Sequence, residues 1–404
     1  MKSSRAAGWA ILGLAIVLYY FRFSANDQGL MALYSPAGEC LMRGERLVTC
    51  TLGFPYPPLV ALLMAPLTFL PLWTRDVIWY GVLVGATLGS FRICERLATG
   101  AFQVAPGELL WLRVFALVLS LKFVLSVFEN QAYDVLVFFF ILLGVEGLTR
   151  NRTLASAGGF ALATALKATP ALTFLYVLYL RRWKAFALGA ALCVLVSVLP
   201  DLLFTPKQGG AFLLTWVQDV VVGGLLGTSS EAYYPLLKEV NHLNQSLKAF
   251  VSAIVHGLGP EAAARTRVLV YLAYLLYAAA AIWVLVLAAR VEGAIVWGAS
   301  IVLLSMLMLS PMSSKSHFVI LLLPHMAIVA YLIRYREAWR AALPLLIASF
   351  ALNTLTSRAL LGRDLANKML SLGCITVGTL LLLAVIAVLV LHSRKRATAG
   401  APGH

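Results

Sequence analysis

Thirteen apolar runs follow one another along the chain, at about 8–23, 57–73, 76–91, 108–128, 132–148, 155–168, 170–180, 185–204, 266–289, 293–310, 316–333, 339–356 and 367–391. Most approach the roughly 20 residues that a helix needs to cross a hydrocarbon core about 30 Å thick. Inside such a core each backbone N–H and C=O must find its partner within the protein, so an apolar run this long is read as a helix. The composition agrees: of 404 residues, 61% are hydrophobic and 12% charged, with a mean hydropathy of +0.89. A soluble domain of that length carries about twice as much charge. The expected class is an all-α polytopic membrane protein, folded as a single integral-membrane domain over residues 1–404.

The formal charge of +15 comes from 32 Lys and Arg against 17 Asp and Glu. Most of the basic residues sit in short connections between apolar runs, where they act as topology signals. Nucleic acid is therefore not an expected partner, whereas membrane lipids and phosphates are. The N-terminus, Lys2-Ser-Ser-Arg5 before a first apolar run, reads as an uncleaved signal-anchor helix.

One segment decides the topology. If the run at 57–73 crosses, Arg92, Arg96, Arg150 and Arg152 fall outside; if it returns on its own side, all four fall inside with the other short basic loops. The positive-inside tendency favours the second arrangement. The run also carries Pro57, Pro58, Pro66 and Pro71, and each removes a helix donor. The expectation is therefore about twelve transmembrane helices with both termini inside, plus a re-entrant or juxtamembrane segment. Two long outside loops follow, at 24–75 and 205–265, and a basic cytoplasmic tail at 392–404. The run broken at Pro170 suits two half-helices that meet near Lys167. Cys94, Cys193 and Cys374 fall in or beside helices, while Cys40 and Cys50 share the first outside loop, where a disulfide can form.

Ionisable residues in or beside membrane spans are functional candidates by default. In this topology Asp27, Glu129, Gln131, Asp134, Lys167, Lys315 and His317 gather at the outer face. Asp27 stands where the first helix leaves the bilayer; it suits a general base, and equally a cap on the next helix. Lys167 is either a snorkelling lysine or a cation for a lipid-linked phosphate. His317 opens an apolar run after Ser310-Pro-Met-Ser-Ser-Lys315-Ser, and His325 reads as packing. No Cys/His set has zinc-ligand spacing, and there is no Walker-type loop or dinucleotide fingerprint, so nucleotide-driven chemistry is not expected.

Several stretches taken in order resemble glycosyltransferase family 87. They are the outside Asp27, then Tyr34, Leu41 and Gly44, then Phe54-Pro-Tyr-Pro-Pro-Leu59 with Ala65-Pro66. Asn130-Gln131, Ala165-Leu-Lys-Ala-Thr-Pro170, Asn244-Gln-Ser-Leu247 and Leu309-Ser-Pro-Met-Ser313 with His317 and Leu323-Pro324 follow. The chain departs from the family pattern at Asn130 and Tyr133, and at Ser314 and Ser316, where a Trp and a paired His are common.

The resemblance implies a GT-C fold and a membrane glycosyltransferase. Such an enzyme moves a hexose, mannose first, or a pentose from a polyprenyl-phosphate sugar to a hydroxyl of a lipid or glycan acceptor. It implies a bacterial inner (plasma) membrane location, with the active site on the outer, periplasmic face. Asp27 takes the catalytic place as general base of an inverting transfer. Lys167, His317 and Lys315 are candidates for the donor phosphate, and Gln131, Tyr56, Asn244 and Gln245 for sugar or acceptor. No cofactor or bound metal is implied, and a divalent ion at Asp27 stays open. The alternative classes are a lipid or small-molecule transporter or flippase, or a glycan ligase or polymerase of related fold. The chain shows no internal repeat of the kind common in secondary transporters.

Overall fold

A computed structural model describes residues 13–14, 16–26, 29–51, 53–207, 209–223, 241–354 and 356–399. Asp27 and the neighbouring Gln28 lie outside the described residues, as do Lys2–Arg5, Tyr233, Tyr234 and the end of the tail. The described residues form helices and turns, with no strand among them. Helical residues 13–14 and 16–24 come first. Then come α1 (Met31–Met42), α2 (Pro58–Met64), α3 (Leu72–Phe102), α4 (Leu109–Glu129), α5 (Asp134–Thr149), α6 (Thr153–Leu166), α7 (Leu172–Tyr179) and α8 (Trp183–Leu203). The second half holds α9 (Leu247–Gly257), α10 (Thr266–Ala288), α11 (Ala294–Met308), α12 (Leu322–Arg334), α13 (Trp339–Thr354), α14 (Arg358–Ser371) and α15 (Cys374–Ala399).

Six of these helices are long and apolar enough to cross a membrane: Leu72–Phe102, Pro106–Glu129, Trp183–Leu203, Thr266–Ala288, Lys315–Arg334 and Cys374–Thr398. A seventh is added if the bent pair α13 and α14 counts as one span. The twelve crossings expected from the sequence also require shorter apolar helices such as α6, α7 and α11. The protein is thus all-helical and integral to the membrane. Burial sorts the helices by depth in the bundle. The Lys315–Arg334 span is 89% buried and forms the centre, while Trp183–Leu203 is 11% buried and presents Leu188, Val194, Leu195, Leu202 and Leu203 outward. Apolar side chains facing out are what lipid tails require of a peripheral helix.

The prolines of the 57–73 run break it as expected. Seven α-helical residues of α2 pass into a tighter turn at Ala65–Phe69. At about 1.5 and 2.0 Å per residue these pieces span only about 20 Å, too short for the hydrocarbon core. Both flanks meet the same turn: the Tyr56 ring lies 5.3 Å from that of Tyr133, and the Trp79 indole N–H donates to the Gln131 carbonyl at 2.9 Å. The segment therefore enters and leaves at one end of the bundle. Arg75 fixes the return by donating to the carbonyls of Leu70 at 2.7 Å and Thr68 at 2.6 Å, and to the Ser35 hydroxyl at 2.6 Å. In the last turn of α1, Cys40 is joined in a disulfide to Cys50, with their Cα atoms 6.1 Å apart.

Helices α5 and α6 pack most closely because small residues line their seam. A Cβ on Gly159 would lie 2.5 Å from the Gly144 nitrogen, and one on Gly147 would lie 2.6 Å from the Ser156 nitrogen. Close backbone approach through small residues is how membrane helices gain contact where lipid offers no hydrophobic drive. This seam fixes where α5 begins and where α6 ends, and those two points carry Asp134 and Lys167.

Candidate active site

Asp134 is the first residue of α5, where the positive end of the helix dipole favours a carboxylate. Lys167 follows the last residue of α6 in an extended conformation that turns its side chain across the seam. Its ammonium donates to Asp134 Oδ1 at 2.5 Å. The Asp134 side chain is buried, at 9% exposure, and that of Lys167 half-buried, at 17%. His317 comes from the turn before α12, and its Nε2 lies 3.5 Å from the same carboxylate oxygen. Its Nδ1 accepts the Ser314 N–H at 3.2 Å, which leaves the proton of a neutral ring on Nε2, facing Asp134. The Ser316 hydroxyl, in the same turn as His317, lies 3.1 Å from that of Ser314. Residues from three separate connections thus meet on one buried carboxylate. A buried charge needs such partners, since an isolated carboxylate in this environment is prohibitively costly.

Three tyrosines lie beside it. Tyr34, Tyr56 and Tyr133 meet edge to face, with centroids 5.3 to 5.6 Å apart. Burial holds their hydroxyls above the ordinary tyrosine range, so all three are neutral. Tyr56 also lines a cavity of about 290 Å³ with Arg46, Phe54, Phe212, Trp216 and Gln218. The Trp216 indole N–H donates to the Pro55 carbonyl at 3.0 Å, and Arg46 pairs with Asp219 at 2.6 Å. Aromatic walls with a few polar groups suit a sugar or polyol headgroup.

Three amide side chains, candidates for sugar hydroxyls from the sequence, are bound to backbone. Gln131 donates to the Phe23 carbonyl at 2.9 Å and accepts the Met31 N–H at 3.3 Å. With the Leu30 N–H donating to the Asn130 carbonyl at 3.0 Å, and Asn26 donating to the Glu129 carbonyl at 2.6 Å, it clamps the flanks of Asp27 to the α4–α5 turn. Gly29 belongs to the same clamp: a Cβ there would lie 2.0 Å from Gln131 Oε1. Asn244 donates to the Pro311 carbonyl at 2.9 Å and accepts the N–H groups of Ser246 and Ser313 at 3.0 Å each. Gln245 donates to the carbonyls of His242 at 2.8 Å and Leu370 at 2.9 Å, and its buried Oε1 has no partner. One set of amides holds the segment on either side of Asp27, the other the turn that carries His317.

Lys315 makes a different contact, its ammonium donating to the Thr356 carbonyl at 3.3 Å. Two residues were passed over in the sequence. Asp134 belongs to the gathered outer-face group without a role, and nothing local shows that Lys167 and His317 converge on it. Lys122, in the middle of an apolar run, carries its own signal. Among the described residues, the one group of metal-ligand side chains close enough to share an ion is Cys40, Glu45 and Cys50. There the two sulfurs are joined to each other.

Comparison with known proteins adds to this geometry. Residues 54–311 match the model of glycosyltransferase family 87. That window takes in Tyr56, Gln131, Asp134, Lys167, Asn244 and Gln245. It stops short of His317 and begins after Asp27. The chain is 27% identical over 230 residues to a polyprenol-phosphate-mannose-dependent α-(1-2)-phosphatidylinositol pentamannoside mannosyltransferase of Mycobacterium tuberculosis (strain CDC 1551 / Oshkosh), covering 55% of this chain and 49% of that protein. It is 28% identical over 212 residues to the enzyme of the same name from Mycolicibacterium smegmatis (strain ATCC 700084 / mc(2)155), covering 52% and 47%. The chain spans about half the length of these curated relatives. The crystal structure of ArnT from Cupriavidus metallidurans in the apo state aligns with 98% of this chain and 79% of that one, at 16% identity and a TM-score of 0.40. The match over more than half its length means that the chain belongs to glycosyltransferase family 87.

Proposed function

We propose that the protein is a membrane glycosyltransferase of GT-C type. In this reading it moves a sugar from a polyprenyl phosphate to a hydroxyl of a lipid-linked or glycan acceptor, on the outer face of a bacterial inner membrane. The two relatives are named for polyprenol-phosphate-mannose, so mannose is the first donor to test. The observation that carries the reading is the buried meeting of Asp134, Lys167 and His317 at the end of the bundle where the flanks of Asp27 are clamped.

The chemistry needs a base and a stabilised leaving group. As the acceptor oxygen attacks the anomeric carbon, Asp27 takes the hydroxyl proton. The bond from that carbon to the phosphate oxygen breaks, and the polyprenyl phosphate leaves with the electron pair. One direct displacement inverts the anomeric configuration. In this reading Lys167 and Lys315 supply fixed positive charge to the developing phosphate, which lowers the barrier, and His317 offers its Nε2 proton as a hydrogen-bond donor. Asp134 holds Lys167 and His317 in register. The cavity beside Tyr56 takes the acceptor headgroup, and Gln131, Asn244 and Gln245 act through the segments they hold. No cofactor enters the step.

Loss of a general base costs about 100- to 10,000-fold in rate. Asp27→Asn is expected to abolish transfer of radiolabelled mannose from polyprenyl phosphate while the protein still inserts and melts as before. Retention of more than about a tenth of wild-type transfer would remove Asp27 from the mechanism.

A further inference from the structure

Lys122 lies inside the Pro106–Glu129 span, seven residues before its end, which at 1.5 Å per residue is a depth of about 10 Å. A lysine at that depth turns inward and finds a partner, and it marks a functional site by default. The Lys122 ammonium donates to the Asn353 carbonyl at the end of α13. The same carbonyl accepts the Thr356 hydroxyl at 2.8 Å. One turn further on, the Lys315 ammonium reaches the Thr356 carbonyl. Two amines therefore end on carbonyls three residues apart. Arg358 opens α14 two residues after Thr356, at the same break between α13 and α14.

No carboxylate among the described residues pairs with either lysine. Glu129, which ends the same helix as Lys122, is exposed and already joined to Arg22 at 3.2 Å. The contrast with Lys167 is direct, since Lys167 has Asp134 at 2.5 Å. Carbonyl dipoles satisfy an ammonium's hydrogen bonds without cancelling its charge, so these two half-buried lysines, which end on carbonyls three residues apart, have no anion among the described residues.

We propose that Lys122 and Lys315, with Arg358 beside them, bind the phosphate of a lipid. A phosphate offers several acceptor oxygens to two ammonium groups at once. The site is framed by α4, the end of α13 and the turn before α12, so its anion arrives attached to a chain that stays in the bilayer. Basic pockets between membrane helices bind lipid headgroups in this way. The phosphate belongs either to a polyprenyl phosphate or to a bilayer phospholipid, and the recognition chemistry is shared. Because Lys315 also serves the donor phosphate in the function proposed above, the polyprenyl source rests on that reading; the phospholipid source does not.

Binding without transfer tests it. The purified full-length protein in detergent is titrated by native mass spectrometry with undecaprenyl phosphate, with phosphatidylglycerol and with uncharged undecaprenol. At least one of the phosphates is expected to bind about tenfold or more tightly than undecaprenol, as charge-assisted hydrogen bonds warrant. Lys122→Gln and Lys315→Gln should each remove about that factor, and Lys122→Arg should keep it. Glutamine can still donate to the Asn353 carbonyl, so Lys122→Gln separates charge from structure; should it fail to fold, Lys315→Gln and Lys122→Arg decide. Preference for undecaprenyl phosphate identifies a polyprenyl carrier, and comparable binding of phosphatidylglycerol identifies a bilayer headgroup. Undecaprenol binding as tightly as both phosphates, or unchanged binding in both Gln variants, overturns the proposal. Transfer that survives Asp27→Asn would sink the proposed base and leave this binding result standing.

Discussion

At the end of the bundle where α3 stops and α4 starts, Arg113 meets Glu95 at 2.8 Å, Arg96 meets Glu146 at 2.8 Å, and Arg150 meets Glu146 at 2.9 Å. Each of these arginine side chains is about half exposed. At the opposite end Asp134 meets Lys167 at a similar distance, but buried, with His317 closing the shell. The distances alone do not separate the two ends, and Glu146 is itself only 12% exposed; what differs is the burial of the cation, 17% exposed at Lys167 against about half at each arginine. Exposed pairs are worth about 0–1 kcal/mol and are screened by salt. A buried pair carries a desolvation cost that hydrophobic packing would avoid, so its presence calls for a reason beyond stability. The exposed end holds surface pairs, and the buried end is where the proposed chemistry lies.

The largest break in that contrast comes from the buried pair. Lys167→Met leaves Asp134 as an uncompensated buried carboxylate and is expected to cost about 3–5 kcal/mol in thermal unfolding in detergent. The double variant Lys167→Met with Asp134→Asn should recover most of that stability without recovering transfer. If the single variant melts like wild type, the pair is solvated and the contrast fails.

Gly29→Ala comes next. Its Cβ would sit 2.0 Å from Gln131 Oε1, so the Gln131 side chain must give way and release its bonds to Phe23 and Met31, or the backbone beside it must move, whereas Gly100, at the far end of α3, has nothing within 4 Å. A misplacement of about 1 Å can cost about 100-fold in rate. Transfer should fall by about that much in Gly29→Ala and stay at wild-type level in Gly100→Ala. Equal activities would mean that the clamp does not position the site.

The disulfide ranks third. Closing a loop of this length is worth about 3 kcal/mol by chain entropy. Cys40→Ser should lower the unfolding free energy by about that much, and alkylation with and without reductant should show a mass difference only in the wild type. Identical masses would show that the two cysteines are free.

Much of this contrast could be read before any coordinates. The prolines at 57, 58, 66 and 71 marked a segment that does not cross, because a missing N–H acts locally. Lys167 stood out between half-helices because charge in an apolar run is costly wherever it folds. Gln131, Lys167 and His317 do come to one end. What stayed hidden depends on distance in sequence. Asp134 reads as an ordinary first residue of a helix until residues 167 and 317 are seen to reach it. The amides of Gln131, Asn244 and Gln245 suggest sugar binding by type, and only their partners at residues 23–31, 242, 311–313 and 370 show that they hold backbone. Lys122 was visible and carried no assignment, since a lysine in a span names its partner only after folding.

The smallest expected effect closes the comparison from the other side. Arg113→Ala removes a bidentate contact to Glu95, with its two nitrogens at 2.8 Å from the two carboxylate oxygens, which is favourable geometry for a surface pair. With the arginine half exposed, solvent screens most of that energy, and the loss should stay below about 1 kcal/mol. It should shrink further in high salt, because exposed charges separated by more than a few ångströms are damped over about 10 Å at 0.1 M ionic strength. Transfer activity should not change. An unfolding cost comparable to that of Lys167→Met, or one that salt does not reduce, would mean that the Arg113 end is as desolvated as the Asp134 end, and burial would no longer distinguish the two.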